Sequence, residues 1–142
     1  MNFYIATKLD RAKEHNIVRD DLVKLNWHIT YDWTTHGSVK NTTTSTLTKV
    51  ANSEANGVIN ADVVIVLLPG GRGTHTELGL AIASNKKVIL HSSNPEMFKA
   101  CEETCAFYHH SNTYQYCCDI NQLVDLLVKD KFIVENIALE LS

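Results

Sequence analysis

The feature that most constrains this chain is the stretch of residues 61–83, which reads ADVVIVLLPGGRGTHTELGLAIA. Residues 62–68 are an almost unbroken run of Val, Ile and Leu, which is typical of a strand buried on both faces of a parallel sheet. Pro69 and three glycines then end the strand, because proline lacks an N–H group and glycine adopts backbone angles closed to other residues. Residues 74–84 follow with the apolar spacing of a helix packed on that sheet.

The loop between this strand and this helix, residues 69–73, is the predicted centre of the functional site. A strand, a glycine loop and a helix N-terminus together point backbone N–H groups and the positive end of the helix dipole at an anion or polar ligand. The loop lacks the Lys-Ser/Thr pair of a Walker A loop, and Thr76 stands where G-x-G-x-x-G needs its last glycine. Triphosphate and dinucleotide sites are therefore disfavoured, and we expect Glu77 to point into an active centre here.

Strand and helix patterns alternate five times along the chain. The predicted strands are residues 2–7, 28–33, 62–68, 87–91 and 114–118, and the predicted helices are residues 10–26, 47–60, 74–84, 95–107 and 120–128, with 131–141 continuing or flanking the last. This alternation predicts an α/β fold in one domain over residues 1–142: a flavodoxin-like (Rossmann-like), doubly wound, parallel five-stranded sheet of order 2-1-3-4-5. That order puts residues 4–10 and 69–77 at one crevice, the switch point where such sheets bind ligands.

Composition excludes several classes of partner. The chain is 44% hydrophobic and 20% charged, with a net charge of −3, which offers no electrostatic basis for binding nucleic acid or an anionic membrane. No apolar run reaches the length of a membrane span, and the sequence opens as a strand rather than as a signal peptide. We therefore expect a cytoplasmic protein with reduced cysteines. Its cysteines and histidines lack metal-ligand spacing, so no metal site is expected.

The chain resembles the nucleoside 2-deoxyribosyltransferase family, including its nucleoside 5′-monophosphate N-glycosidase relatives. The resemblance covers residues 3–91 and follows the family order: FYIAT in the first strand, an acidic helix, the strand ADVVI, and a loop leading to Glu-Leu-Gly at residues 77–79. Separately, PGGRGTHTE at residues 69–77 is similar to the loop of cytokinin-activating nucleotide phosphoribohydrolases. Both groups cleave the N-glycosidic bond between a base and a sugar, so the resemblance implies this chemistry, with transfer of the sugar to another base or to water. Neither outcome needs a metal or a redox cofactor, so none is expected.

The family resemblance implies three catalytic residues. Glu77 takes the position of the nucleophile that attacks the anomeric carbon, and we expect the helix dipole and nearby N–H groups to hold its carboxylate ionised. Tyr4 matches the tyrosine that hydrogen-bonds the nucleophile. Glu54 falls where the family carries an Asp that protonates or orients the leaving base, which is a departure from the pattern. Two carboxyl groups are what glycosidic cleavage needs.

The expected substrate-binding residues surround this centre. They are Thr7 after the first strand, Trp33 at the end of the second strand, and Gly70, Gly71, Arg72, Gly73 and Thr74 in the loop. Arg72 and the loop N–H groups suit a 5′-phosphate, and Trp33 suits stacking on the base. Thr7-Lys8-Leu9 replaces the small-Pro-Phe run of the family, so the sugar pocket is expected to differ. The resemblance also implies a homo-oligomer whose pockets are completed by a neighbouring subunit.

Simpler interpretations remain open for the same residues. Thr74-x-x-Glu77 matches a capping box, in which Glu77 would only complete the helix N-terminus. Glu54 on an amphipathic helix is by default a solvated acid, and Trp33 is more often a core residue. For the whole chain, the alternatives are a non-catalytic nucleotide-binding or sensing module and a ribonucleotide 5′-monophosphate phosphoribohydrolase.

Overall fold

The computed structural model describes residues 1–130 as a parallel five-stranded sheet with helices on both faces. The strands are β1 (Asn2–Ala6), β2 (His28–Ile29), β3 (Val63–Leu67), β4 (Lys87–Ser92) and β5 (Thr113–Cys117). Their order in the sheet is β2-β1-β3-β4-β5, and every pair is parallel. The predicted α/β class and the strand order 2-1-3-4-5 are confirmed.

Four α-helices cover the sheet: α1 (Ala12–Val23), α2 (Thr44–Asn60), α3 (Arg72–Ala83) and α4 (Leu123–Lys129). Short 3₁₀ turns lie at Leu9–Arg11, Trp33–Thr35, Pro95–Phe98, Ala106–His109 and Ile120–Gln122. Each crossover returns the chain to the same end of the sheet, so the carboxyl ends of all five strands lie along one edge.

The central strand β3 separates two hydrophobic cores, because successive side chains of a strand point to opposite faces. Val63 and Ile65 belong to the core that includes residues of α1 and α4. Val64 and Val66 belong to the core that includes residues of α2 and α3. All five residues of β3 are buried, as the unbroken apolar run predicts for a strand covered on both faces. Helices α2 and α3 therefore share one face, and this arrangement positions the functional site.

The predicted helix over residues 95–107 is wrong. The structure has only two 3₁₀ turns there, Pro95–Phe98 and Ala106–His109, joined by residues of irregular structure. The Asn94 side chain accepts a hydrogen bond from the Glu96 N–H at 3.0 Å, which starts the first turn, and Lys99 is already extended. The apolar residues of the segment are too few to bury a helical face, so nothing propagates the first turn.

Several predicted boundaries also shift. Strand β2 is two residues long rather than six, because the Asp32 side chain accepts a hydrogen bond from the Thr34 N–H and starts a turn. Helix α2 begins at Thr44 rather than at residue 47, since the Thr43 hydroxyl caps it by accepting from the Thr46 N–H at 3.1 Å. The predicted extension over residues 131–141 lies outside the described residues. Within residues 1–130, no helix is both long and apolar enough to cross a membrane.

Candidate active site

A cleft of about 790 Å³ opens at the carboxyl ends of β1 and β3. Four parts of the chain line it: residues 7–10 after β1, residues 33 and 36–40 after β2, Glu54 of α2, and residues 71–74 with Glu77 at the start of α3. The structure thus brings the predicted crevice segments together, because β1 and β3 are neighbours and end at the same edge of the sheet.

The glycine loop shapes the wall of the cleft at the start of α3. Gly71 is the N-cap residue, and its N–H donates to the Thr74 hydroxyl at 3.1 Å. A Cβ at Gly70 would lie 2.5 Å from Cγ2 of Thr74, so the loop folds onto Thr74 only because residue 70 is glycine. Gly71, Arg72, Gly73 and Thr74 line the cleft as predicted, whereas Gly70 lies outside its lining.

The alternative interpretation, a capping box formed by Thr74 and Glu77, is contradicted by the structure. Because α3 begins at Arg72, Thr74 is the third helical residue and reaches back to the N-cap, while Glu77 lies in the second turn. Glu77 is therefore free of any capping role. Its position comes from the helix face it occupies, which points toward β1 and the cleft.

Glu77 is a buried carboxyl group at the inner wall of the cleft. Only 8% of its surface is exposed, and its Oε2 atom has no hydrogen-bond partner among the described residues. Burial raises the pKa of Glu77 to about 8, an effect that Tyr4 opposes and that the charge of Glu54 reinforces. The expectation that the helix dipole keeps this carboxylate ionised at neutral pH is therefore wrong, because loss of hydration outweighs the dipole beyond the first turn.

Tyr4 lies behind Glu77 rather than in the lining of the cleft. It is fully buried on β1, and its hydroxyl makes no hydrogen bond of standard geometry within residues 1–130. Tyr4 is nevertheless close enough to lower the pKa of Glu77 as a hydrogen-bond donor. Burial, and then the charge of Glu77, raise the pKa of the Tyr4 phenol far above its usual value. Tyr4 therefore keeps its proton and can act toward Glu77 only as a donor.

Glu54 of α2 is a second carboxyl group in the same cleft. It is half-buried, and burial raises its pKa, with the nearby His36 opposing. Gly57, one turn later, explains why α2 comes so close to the sheet. A Cβ at Gly57 would lie 2.9 Å from both Cβ of Tyr31 and Cδ2 of Tyr4. This glycine was not identified from the sequence, because nothing local distinguishes a packing glycine from a tolerated one.

Thr7 and Trp33 line the cleft but already have structural partners. The Thr7 hydroxyl donates to the Leu67 carbonyl at 2.8 Å and joins the ends of β1 and β3. Trp33 is 5% exposed, and its indole N–H donates to the Ile5 carbonyl at 2.9 Å. Trp33 is thus part of the core as well as of the cleft wall. Little of its ring is free to stack on a base.

The sequence of this chain matches that of a known protein family. The sequence model of the nucleoside 2-deoxyribosyltransferase family matches residues 3–136, which is nearly the whole chain. The chain belongs to this family. No curated protein matches it significantly in sequence.

A solved structure supports the fold of this family member independently. The structure of Clostridium botulinum CMP N-glycosidase BcmB is similar to it, with a TM-score of 0.64 at 17% sequence identity. The similarity covers 89% of this chain and 98% of that chain. At this level of identity, the similarity concerns the fold and not the choice of substrate.

Residues 36–40 are the part of this deoxyribosyltransferase-family cleft that the sequence did not predict. They lie between the second predicted strand and the second predicted helix, where the sequence predicts no site residue. The signal that points to them is the strand order: a loop that follows β2 must emerge beside the end of β1. Gly37 adopts a φ of +64°, a left-handed conformation that favours glycine and turns this segment over the cleft.

The cleft of this family member carries both signs of charge. Its basic side chains are Lys8, His36, Lys40 and Arg72, and its acidic side chains are Asp10, Glu54 and Glu77. Within residues 1–130, no group of three or more His, Cys, Asp or Glu side chains is placed to hold a metal ion. The arrangement offers buried carboxyl groups for acid, base or nucleophilic chemistry, and cations and helix N–H groups for an anion.

Proposed function

We propose that this protein cleaves the N-glycosidic bond of a nucleoside or deoxynucleoside, or of its 5′-monophosphate, with Glu77 as the nucleophile. The observation that carries the proposal is the state of Glu77: a buried carboxyl group whose Oε2 has no partner within residues 1–130, in the wall of a large cleft that holds a second carboxyl group. Burying such a group without a partner destabilises a fold, so a role in binding or chemistry is its natural explanation.

In the proposed reaction, a Glu77 oxygen attacks the anomeric carbon as the bond to the base breaks. The bonding electron pair leaves with the base, which takes up a proton, and the sugar is held as an ester of Glu77. Water or a second base then attacks the same carbon and gives up a proton to the group that protonated the first base, and the carboxylate of Glu77 is released. The first acceptor gives hydrolysis and the second gives transfer.

Tyr4 suits the role of stabilising the reactive form of Glu77. A phenol that keeps its proton is a fixed donor toward the carboxylate, and Tyr4 does not itself line the cleft. The hydrogen bond from Tyr4 lowers the pKa of Glu77, so it favours the ionised carboxylate that must attack the sugar. Tyr4 therefore acts through Glu77 and is a positioning residue.

Glu54 suits the role of the acid that protonates the departing base. Because burial raises its pKa, Glu54 retains a proton at higher pH than an ordinary glutamate does. It lies on α2 and lines the same cleft as the glycine loop and Glu77, so a nucleotide bound in the cleft would have both carboxyl groups within one site. The longer glutamate side chain can do the work of the family aspartate.

The start of α3 suits a 5′-phosphate. The first N–H groups of a helix have no partner within the helix, and Arg72 adds a positive charge beside them. Lys8 lies on the same side, since its Cγ is 3.7 Å from the position of a Cβ on Gly71. The structurally similar BcmB is described as a CMP N-glycosidase. We therefore extend the proposal to nucleoside 5′-monophosphates, with ribonucleotides among the substrates.

The test is release of free base, followed by chromatography, from ribo- and 2′-deoxyribonucleosides with and without a 5′-phosphate. Wild type should release base from at least one class, and Glu77→Gln should be slower by at least about a thousandfold while remaining folded by circular dichroism. Glu103→Gln, an exposed acid outside the cleft, is the matched control and should retain full activity. Nucleotide binding by wild type without release of any base would refute catalysis in favour of a sensing module.

A further inference from the structure

The segment after β2 carries a histidine whose role the proposed reaction leaves open. We propose that His36 selects the leaving base: its Nε2 accepts a hydrogen bond from an exocyclic amino group, so that cytosine and adenine are preferred over uracil and hypoxanthine. This inference rests on the proposed function, since it names the class of base that the same cleft takes.

The tautomer of His36 follows from its neighbour. Its Nδ1 atom lies 2.9 Å from the carbonyl oxygen of Gly37. A carbonyl oxygen only accepts, so Nδ1 must carry the proton in this contact. In the neutral ring, Nε2 then has a lone pair and no hydrogen, and it offers an acceptor. Among the described residues, no hydrogen bond occupies Nε2.

The ring is also held in place over the cleft. It lies against Tyr31, with 5.8 Å between ring centroids and an interplanar angle of 39°. Gly37, in its left-handed conformation, turns the chain immediately after it. Two ring contacts and a turn therefore orient His36, even though the residue itself is solvent-exposed. An oriented acceptor at a cleft wall can discriminate among ligands, whereas a freely rotating one discriminates poorly.

Glu54 completes the recognition pattern. It lines the same cleft and lies within electrostatic range of His36. A protonated Glu54 offers an O–H donor beside the acceptor on His36. Cytosine presents a ring-nitrogen acceptor next to its N4 amino group, and adenine presents N7 next to its N6 amino group. Uracil and hypoxanthine carry a carbonyl in place of the amino group, so an acceptor would face an acceptor.

The experiment compares substrates in pairs that differ only at this group: the cytosine and uracil nucleotides, and the adenine and hypoxanthine nucleotides. The ratio of kcat/KM within a pair isolates the amino group from the size of the base. Wild type should favour the amino member of at least one pair by about tenfold, and His36→Ala should reduce that ratio to near one. His36→Gln, whose amide both donates and accepts, should show an intermediate ratio. His28→Ala, an exposed histidine outside the cleft, should leave the ratio unchanged.

A binding measurement separates this inference from the proposed function. The affinities of Glu77→Gln for the same nucleotide pairs, measured by calorimetry, should show the amino preference, and addition of His36→Ala should abolish it. If no base is released but the preference appears, the glycosidase proposal fails while the role of His36 stands. If base is released with no preference within either pair, or if His36→Ala leaves the preference intact, the role of His36 is refuted and the glycosidase proposal stands.

Discussion

At the scale of single residues, Glu77 is the point where function and stability oppose each other. A carboxyl group with 8% exposure and an unpaired oxygen must either keep its proton or lose hydration without compensation. Tyr4 stabilises the ionised form of Glu77 and so lowers its pKa. The charge of Glu54 lies nearby and raises the pKa of Glu77. The three residues therefore set the reactivity of the nucleophile together.

The pH dependence of the proposed reaction follows from this arrangement. A nucleophilic Glu77 must be ionised while Glu54 must keep its proton to act as the acid, so kcat/KM should pass through a maximum as pH rises. Tyr4→Phe removes the donor that lowers the pKa of Glu77, which is about 8, and should move the ionisation of Glu77 to higher pH. Glu54→Gln removes both the acid and the charge that raises the pKa of Glu77, so its residual rate should rise at a lower pH and then level off. Rates measured from pH 5 to pH 10 check both directions, and shifts of opposite sign to these would contradict the assigned couplings.

The same pKa predicts how stability depends on pH. Because the pKa of Glu77 is higher in the folded than in the unfolded protein, the fold favours its protonated form. Its contribution is fully present below pH 4.5, the unfolded value, and is lost as pH rises through about 8. Glu77→Gln cannot ionise, so the variant should gain stability relative to wild type across this range, by more than about 1.4 kcal/mol at pH 9.

Thermal unfolding of wild type and Glu77→Gln at pH 5, 7 and 9 measures this difference. Glu103→Gln serves again as the control, since it changes an exposed acid and should follow wild type at each pH. If the difference in stability between Glu77→Gln and wild type is the same at all three pH values, the pKa of Glu77 is not raised by folding and the prediction is contradicted.

At the scale of elements, the site depends on how closely two helices approach the sheet. Helix α3 does so through its start, where Gly71 and Thr74 cap each other and Gly70 lies against the Thr74 methyl group. Helix α2 does so through Gly57, which lies against Tyr4 and Tyr31. Each helix then presents one carboxyl group to the cleft.

Gly57→Ala should separate packing from helix propensity. Alanine is a better helix former than glycine by about 1 kcal/mol, yet its methyl group would lie 2.9 Å from two neighbouring side-chain carbons and push α2 away. We expect a net loss of about 1–3 kcal/mol in the free energy of unfolding, and reduced activity because Glu54 moves with the helix. Gly79→Ala on α3 is the matched control. With no atom within 4 Å of the new methyl group, it should stabilise by about 0.5–1 kcal/mol.

At the scale of the whole molecule, a hydrogen-bonded link joins the glycine loop to the turn Ala106–His109. The Nδ1 atom of His75 donates to the Gly71 carbonyl at 2.8 Å, and Nε2 accepts from the Tyr108 hydroxyl at 2.7 Å. The segment after β4, where the predicted helix does not form, thus supports the glycine loop through the hydrogen bonds of His75. Tyr108→Phe breaks one hydrogen bond and should lower the free energy of unfolding by about 1 kcal/mol.

Because Tyr108 and His75 contact the glycine loop rather than the reacting groups, Tyr108→Phe should raise KM more than it lowers kcat. Denaturant unfolding and steady-state kinetics on the same preparation check both expectations. A fall in kcat with KM unchanged would place Tyr108 in the chemistry rather than in support of the loop.

Much of the fold could be predicted from local pattern. The apolar run of β3 and the alternation of strands and helices predict the sheet and its order, since a parallel strand needs cover on both faces. Residues 95–107 could not be predicted in this way, because a short apolar set is compatible with a helix until its packing is known. The predicted homo-oligomer and cytoplasmic location stay predictions.

Residue pattern is enough to predict the α/β sheet, the switch point and two of the segments that meet there, residues 4–10 and 69–77, because strand burial, glycine loops and helix starts are local properties of residue type. Only the folded structure shows that Glu77 lies beyond the capping turn and that burial raises its pKa to about 8. It alone brought residues 36–40 over the site and made Gly57 a packing residue. The physical reason is that desolvation and close contact depend on what covers a side chain, and that cover comes from residues distant in the chain.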